Sequence, residues 1–337
     1  MGSTSRTALR AFSGGLPPTS VTGSPAGNES PRALMSSLVC CRRMRILFVT
    51  ANRLGDAILS TGLLDYLIRT FPTSRITVAC GPVAEGVFKR MPNLERIVVF
   101  SKQEFGGHWL KLWNTTVTRR WDLVVDIRGS ALSWLLSTRR RAVMHRSVGH
   151  KITQLAQVLT LDAAPSPVAW FSGQDITRAC GLLPAGGRPV IVLAPTANWA
   201  PKVWPAERFV ALFHRLAATH IPGAAPAVVA GPGEAEAAMA RPMLQALPAA
   251  INLVGNLDLP EIAAFLARAD LFVGNDSGLM HLAASSGAPT LGLFGPTDAS
   301  VYGPAGRRAA AVTGSDATMA SISLDEVEGV AAALMAR

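Results

Sequence analysis

Two strand-and-helix series follow one another along this chain, and that succession limits the fold more than any other feature. Arg45–Ala51, RILFVTA, is an unbroken apolar run that suits a strand buried on both faces of a parallel sheet. NRLGD turns the chain. AILSTGLLDYLIRTFP then places Ile58, Leu59, Gly62, Leu63, Leu67, Ile68 and Phe71 on one helical face and stops at Pro72. RITVACG, RIVVF and WDLVVDIRG read as three more strands, the last ending in Asp126 and Arg128. A loose, turn-rich stretch over 165–187 separates this series from the next.

The second series opens with the strand PVIVLAP and the helix WPAERFVALFHRLAATH, with Pro205 in its first turn. APAVVAGPGE is a strand and turn, and AINLVG a short strand. DLPEIAAFLARA is a helix whose Asp258 and Glu261 form a capping box. DLFVGND, the helix GLMHLAASSG and PTLGLFG complete it. The fold class this predicts is α/β, with two Rossmann-like, doubly wound parallel-sheet domains facing a central cleft, at 44–175 and 185–337. Ligands in such sheets bind at the carboxyl ends of strands.

A chain of 337 residues, 49% apolar and 16% charged, has material for two such cores. No apolar run reaches the ~18 residues needed to span a bilayer, so a soluble protein is expected. Cys40, Cys41, Cys80 and Cys180 show neither metal-site spacing nor a disulfide framework, and read as reduced thiols of a cytoplasmic protein. Residues 1–43 are rich in Ser, Gly, Pro and Thr and lack the apolar core of a secretory signal. They read as a disordered leader or a misassigned start. Met44, directly before a strand, suits the initiator.

Charge is uneven: +4 over residues 1–43, +9 over 44–184 and −3 over 185–337. The basic N-terminal half suggests a phosphorylated substrate, an anionic membrane surface or nucleic acid as partner, unless the charge serves solubility alone. Nucleic acid is disfavoured, because no RNP-like or helix-turn-helix pattern accompanies the charge and the chain has two tyrosines.

Four constellations lie just after strands. In NRLGDAILS, Gly55 permits a tight turn and Asp56 suits either an N-cap or a general base acting on a hydroxyl. In APTANWAPKVWP, Thr196 and Asn198 can donate to phosphate oxygens, Lys202 adds a point charge suited to pyrophosphate, and Trp199 and Trp204 either flank a ring or pack. In AGPGEAEAAMAR, Glu234 or Glu236 opens a helix and can bind ribose hydroxyls. In VGNDSGLMHLAASSG, the helix N-terminus at Ser277 and Gly278 is a ready anion site; Asp276 can hold a sugar hydroxyl, and His281 lies one turn on. Thr297 and Asp298, in FGPTD, either touch the same ligand or serve the turn. No cluster has metal-ligand spacing, and no G-x-G-x-x-G, P-loop or G-x-S-x-G occurs.

RILFVTANRLGDAILSTGLLDYLIRTFP, DLVVDIRGS, KVWPAERFVAL, GNDSGLMHLAASSGAPTLGLFGPTD and YGP together resemble the bacterial heptosyltransferases of glycosyltransferase family 9, in the family's order from about Met44 onward. The resemblance implies a GT-B fold. It implies inverting, metal-independent transfer of heptose from ADP-heptose to the lipopolysaccharide inner core, with no cofactor beyond the nucleotide-sugar donor. By position Asp56 matches the catalytic base. Thr196 and Lys202 match the phosphate loop, although PTANWAPK is longer than in many relatives. Glu234 or Glu236 falls in the ribose region, and Asp276, Ser277, Gly278 and His281 match the donor motif. The acceptor would be a phosphorylated, lipid-linked saccharide. Arg53, Arg128, Arg139, Arg140 and Arg141 are candidates to hold it, with Arg119, Arg120 and Arg146, at the inner face of the cytoplasmic membrane. The alternatives are a GT-B transferase using another nucleotide sugar or acceptor, and a non-catalytic nucleotide-sugar-binding protein. The sequence leaves the oligomeric state open.

Overall fold

The computed structural model describes residues 43–100, 113, 115–145 and 147–336. The leader expected at 1–43 therefore falls, apart from Arg43, outside the described residues, as does Arg146.

Five parallel strands form the first sheet: β1 Arg45–Val49, β2 Arg75–Cys80, β3 Leu94–Val99, β4 Trp121–Asp126 and β5 Thr138–Val143, in the order β3-β2-β1-β4-β5. Six parallel strands form the second: β6 Val190–Ala194, β7 Ala225–Val228, β8 Ile251–Asn252, β9 Leu271–Asn275, β10 Thr290–Phe294 and β11 Ala309–Thr313, in the order β11-β10-β9-β6-β7-β8. The order in which strands are added reverses once in each sheet, between β1 and β4 and between β6 and β9. The loops leaving those strands diverge there and open a crevice. All four expected constellations except the Glu234–Glu236 turn leave one of these strands.

The helices that matter below are α1 Leu54–Leu59, α2 Thr61–Thr70, α3 Lys151–Val158, α4 Gly173–Cys180, α5 Ala206–Thr219, α6 Glu234–Ala246, α7 Leu259–Leu266, α8 Gly278–Ser286 and α9 Leu324–Met335. The first differs from expectation. It begins at Leu54, and the expected single helix breaks at Ser60, whose hydroxyl donates to the Ala57 carbonyl at 2.7 Å and lies 2.9 Å from the Thr50 hydroxyl. Pro205 is the N-cap of α5 rather than a first-turn residue. The Asp258–Glu261 capping box forms as expected.

Each sheet has its own core. Leu47, Val49, Ala79, Trp121 and Val124 cluster in the first. The second gathers Ile191, Leu193, Trp204, Phe209, Leu212, Leu216, Met243 and, from α9, Val327, Ala331 and Leu334. Burying side chains of this size contributes roughly 1.5–3 kcal/mol each before ordering costs. Between the sheets, an extended strap bonds to both halves. The Val168 amide donates to the Thr61 hydroxyl at 2.8 Å, and the Ala169 amide to the Ser285 carbonyl at 3.1 Å. Arg90 forks onto Asp175 at the start of α4, at 3.0 and 3.2 Å. These contacts, with α1 packed on α8 and α4 on α7, bring the two crevices together.

Candidate active site

The crevice of the first sheet is built on β1 and β4. After β1, Arg53 is the exposed N-cap of α1 and makes no side-chain cap bond. Asp56 sits in the first helical turn. It does not cap the helix, and its carboxylate makes no hydrogen bond or ion pair with any described residue. A half-buried carboxylate in that position is free to accept a proton from a ligand. After β4, Asp126 is fully buried and accepts from the Arg128 and Ser130 amides at 2.8 and 2.9 Å, which fixes the turn. Arg128 then donates to the Asn52 side chain at 2.9 Å and lies 5.2 Å from the Phe100 ring centre. Burial pulls its pKa below the ordinary guanidinium value, opposed by Asp126. The sequence reading gave Asn52, the first residue of NRLGDAILS, no role; here it holds Arg128.

The second crevice is built on β6 and β9. Asn275, fully buried at the end of β9, accepts from the Trp204 amide at 3.1 Å and donates to the Pro195 carbonyl at 2.8 Å. It thereby pins both ends of the loop that carries Lys202. The Lys202 ammonium meets Asp276 at 2.6 Å. Asn275 too was missed; its one sequence signal was a polar residue ending an apolar run. Trp204 packs edge-on against Phe209 in the core, whereas Trp199 is exposed. Asp298 caps a short turn at Ser300.

Thr196 and Glu236 belong together. The Thr196 hydroxyl donates to Glu236 at 2.6 Å, and the same oxygen accepts from the Gly231 amide at 2.8 Å. Glu236 thus clamps the phosphate-type loop to the turn before α6. Glu234 stands apart, exposed and paired with Arg241 at 2.9 Å.

The N-terminus of α8 carries two unusual groups. Neither the Ser277 hydroxyl, which makes no cap bond, nor Nδ1 of His281 has a partner, and both atoms are sealed from solvent. Buried polar groups are ordinarily paired, and these two atoms leave hydrogen-bonding capacity at the α8 N-terminus. Burial drives the His281 pKa down to about 4, with Asp276 opposing and His150 and Lys202 reinforcing the shift. The imidazole is therefore neutral near pH 7: it can donate or accept a hydrogen bond but adds no positive charge.

The two crevices meet at glycines. A Cβ on Gly55 would lie 2.8 Å from Cδ2 of His281, and one on Gly278 would lie 2.6 Å from the Leu54 side chain. Only hydrogen at both positions lets the first turn of α1, with Asp56, lie against the first turn of α8. Nearby, the His150 side chain caps α3 and bonds the Gly303 carbonyl at 3.0 Å, tying the YGP loop to the strap side.

The expected acceptor arginines do not form one cluster. Arg139, Arg140 and Arg141 lie on β5, where alternation sends Arg140 to the opposite face. Arg139, at the start of β5 and so at the sheet end away from the crevice, faces Asp122 at 3.6 Å. Arg141 donates to the Ser133 and Leu136 carbonyls at 2.6 and 3.1 Å. Arg119 pairs with Glu95, and Arg120 is exposed. Among the described candidates, Arg53 and Arg128 stand at the crevice.

Two parallel-sheet α/β halves whose switch points face each other across a phosphate-type helix N-terminus define a GT-B glycosyltransferase. The family model "Glycosyltransferase family 9 (heptosyltransferase)" matches residues 113–329, and the chain belongs to that family. Lipopolysaccharide heptosyltransferase 3 of Escherichia coli is 32% identical over 114 residues, so this chain spans 33% of that protein's length in the match. Lipopolysaccharide heptosyltransferase 1 of Pseudomonas aeruginosa is 28% identical over 303 residues, 78% of this chain and 82% of that protein. The solved structure of E. coli ADP-heptose lps heptosyltransferase II superposes with a TM-score of 0.72 at 19% identity, covering 87% of this chain and 99% of that one.

Proposed function

We propose that this enzyme transfers a heptose from ADP-heptose to a phosphorylated inner-core saccharide of lipopolysaccharide, with inversion and without a metal. The observation that carries the reading is the contact of the Gly55–Asp56 turn with the Gly278–His281 turn. It sets an unpaired carboxylate beside a helix N-terminus suited to a diphosphate. Residues 44–175 would hold the acceptor and 185–337 the donor.

In this reading the acceptor hydroxyl oxygen attacks the anomeric carbon from the face opposite the diphosphate. The new C–O bond forms as the anomeric carbon–phosphate oxygen bond breaks. Asp56 takes the hydroxyl proton, and ADP leaves with the bonding pair. Lys202 and the amides at Ser277 and Gly278 stabilise the departing charge, and neutral His281 and the Ser277 hydroxyl add hydrogen bonds. Glu236 reaches the ribose side while holding Thr196. Arg53 and Arg128 face the acceptor phosphates from the basic half. The reading places the enzyme in the cytoplasm, at the inner face of the membrane that holds its acceptor.

The test is calorimetry with ADP-heptose, UDP- and GDP-sugars and plain ADP-sugars, with and without EDTA. Preference for ADP-heptose that survives EDTA is expected. Asp56→Ala should bind the donor normally while turnover falls by roughly 10³-fold or more. Preference for another nucleotide sugar would overturn the donor assignment, and an Asp56→Ala enzyme with normal turnover would overturn the base.

A further inference from the structure

The connection from β4 to β5 carries a feature that donor chemistry does not use. Its short helix, Leu132–Leu135, presents Trp134 and Leu135 to solvent at 64% and 66% exposure. Large apolar side chains this exposed, side by side, mark an interaction surface when polar groups rim them. Here the rim is basic. The Arg141 guanidinium lies 4.9 Å from the Trp134 ring centre, and its bonds to Ser133 and Leu136 hold it there. Arg139, on the same face of β5, is largely exposed. Between Asp126 and Asp162 the sequence has six Lys and Arg and no acidic residue. A further apolar side chain in this stretch, Val148, is 90% exposed.

We propose that Trp134 and Leu135, with Arg139 and Arg141, dock the enzyme on an anionic lipid bilayer. Indole rings favour the headgroup level, where the ring is buried and the N–H stays wet. Arginines beside them meet lipid phosphates, each cation near an anionic surface adding to the attraction. Neither feature alone holds a protein stably; an apolar contact and a basic patch together do. The one-signed charge of the stretch selects an anionic surface over a neutral one. The same connection starts at the Asp126–Arg128 turn, which lines the first crevice. This deepens, and for its biological sense rests on, the reading of a lipid-linked acceptor.

The full chain would be sedimented with vesicles of phosphatidylcholine alone and of phosphatidylcholine with phosphatidylglycerol, at low and high salt. Binding to the anionic vesicles, weakened by salt, is expected. The double variant Trp134→Ser/Leu135→Ser should bind them about tenfold or more weakly, with its ADP-heptose affinity unchanged. Hydrogen exchange on the unaltered protein, which avoids any folding defect of the variant, should slow across 131–141 when anionic vesicles are added. Equal binding by variant and wild type, or no slowing, overturns the proposal. So does light scattering that finds a dimer in the wild type and a monomer in the variant, since the patch would then be a protein interface. Failure to bind vesicles with intact ADP-heptose binding removes the docking surface and leaves the transferase reading standing.

Discussion

The pH dependence of stability offers a direct test of the buried imidazole. His281 is neutral in the folded protein because burial lowers its pKa from 6.5 to about 4. The unfolded chain therefore takes up a proton between those values that the folded chain does not. A folded pKa below the unfolded one means that stability is complete above pH 6.5 and declines as pH falls toward 4. Integrating that shift gives a loss of ~2.5 kcal/mol between pH 7.5 and pH 4.5. Urea unfolding across that range would measure it, with His281→Gln as the reference. Glutamine keeps a hydrogen-bonding side chain but does not titrate. Subtracting the two curves cancels the ionisable groups that do not interact with His281. The wild type should lose stability relative to the variant as the solution is acidified. Parallel curves would mean that His281 is protonated in the fold or reached by water, and the argument from burial would fail.

Gly278→Ala should lower stability by about 1–3 kcal/mol, because its methyl group meets Leu54 at 2.6 Å; a lower Tm in calorimetry would register it. Asp175→Ala removes the acceptor for Arg90 and for Ser172, and should cost about 1–3 kcal/mol at pH 7. The Arg90 bond chiefly holds the Asp175 pKa down to about 2, so this stability is present above the ordinary carboxylate pKa and lost as pH falls through 2, a window separate from that of His281. Glu236→Ala should weaken donor binding about tenfold by freeing Thr196 and the Gly231 turn, with kcat changed less than KM.

The central strands were legible because β1, β4, β6, β9 and β10 are buried runs, and the candidate site residues other than Glu234 and Glu236 follow those runs. Of the edge strands, β3 and β8 were legible as RIVVF and AINLVG, whereas β5 and β11 were not. β5 reads TRRRAV and is only partly buried, so its arginines looked like a patch when alternation divides them between two faces. β11, AAAVT, is just as weak a signal. Ser60 resembled an ordinary helical residue, since its hydroxyl contacts, to Ala57 and to Thr50 across the turn, appear only in the folded chain. The site's pairings were hidden for a similar reason: Lys202 with Asp276 and Thr196 with Glu236 join residues far apart in the chain. Spacing located each group, and only folding could show which were already committed to a partner.

The glycine seam also bears on how such enzymes can be recombined. A chimera that took its C-terminal half from one relative and its N-terminal half from another would join two surfaces that tolerate no Cβ at positions 55 and 278. Residues 54, 55, 278 and 281 therefore form a compatibility code carried by both halves. Whole-domain exchange would succeed only between parents that share it, however well each half folds by itself.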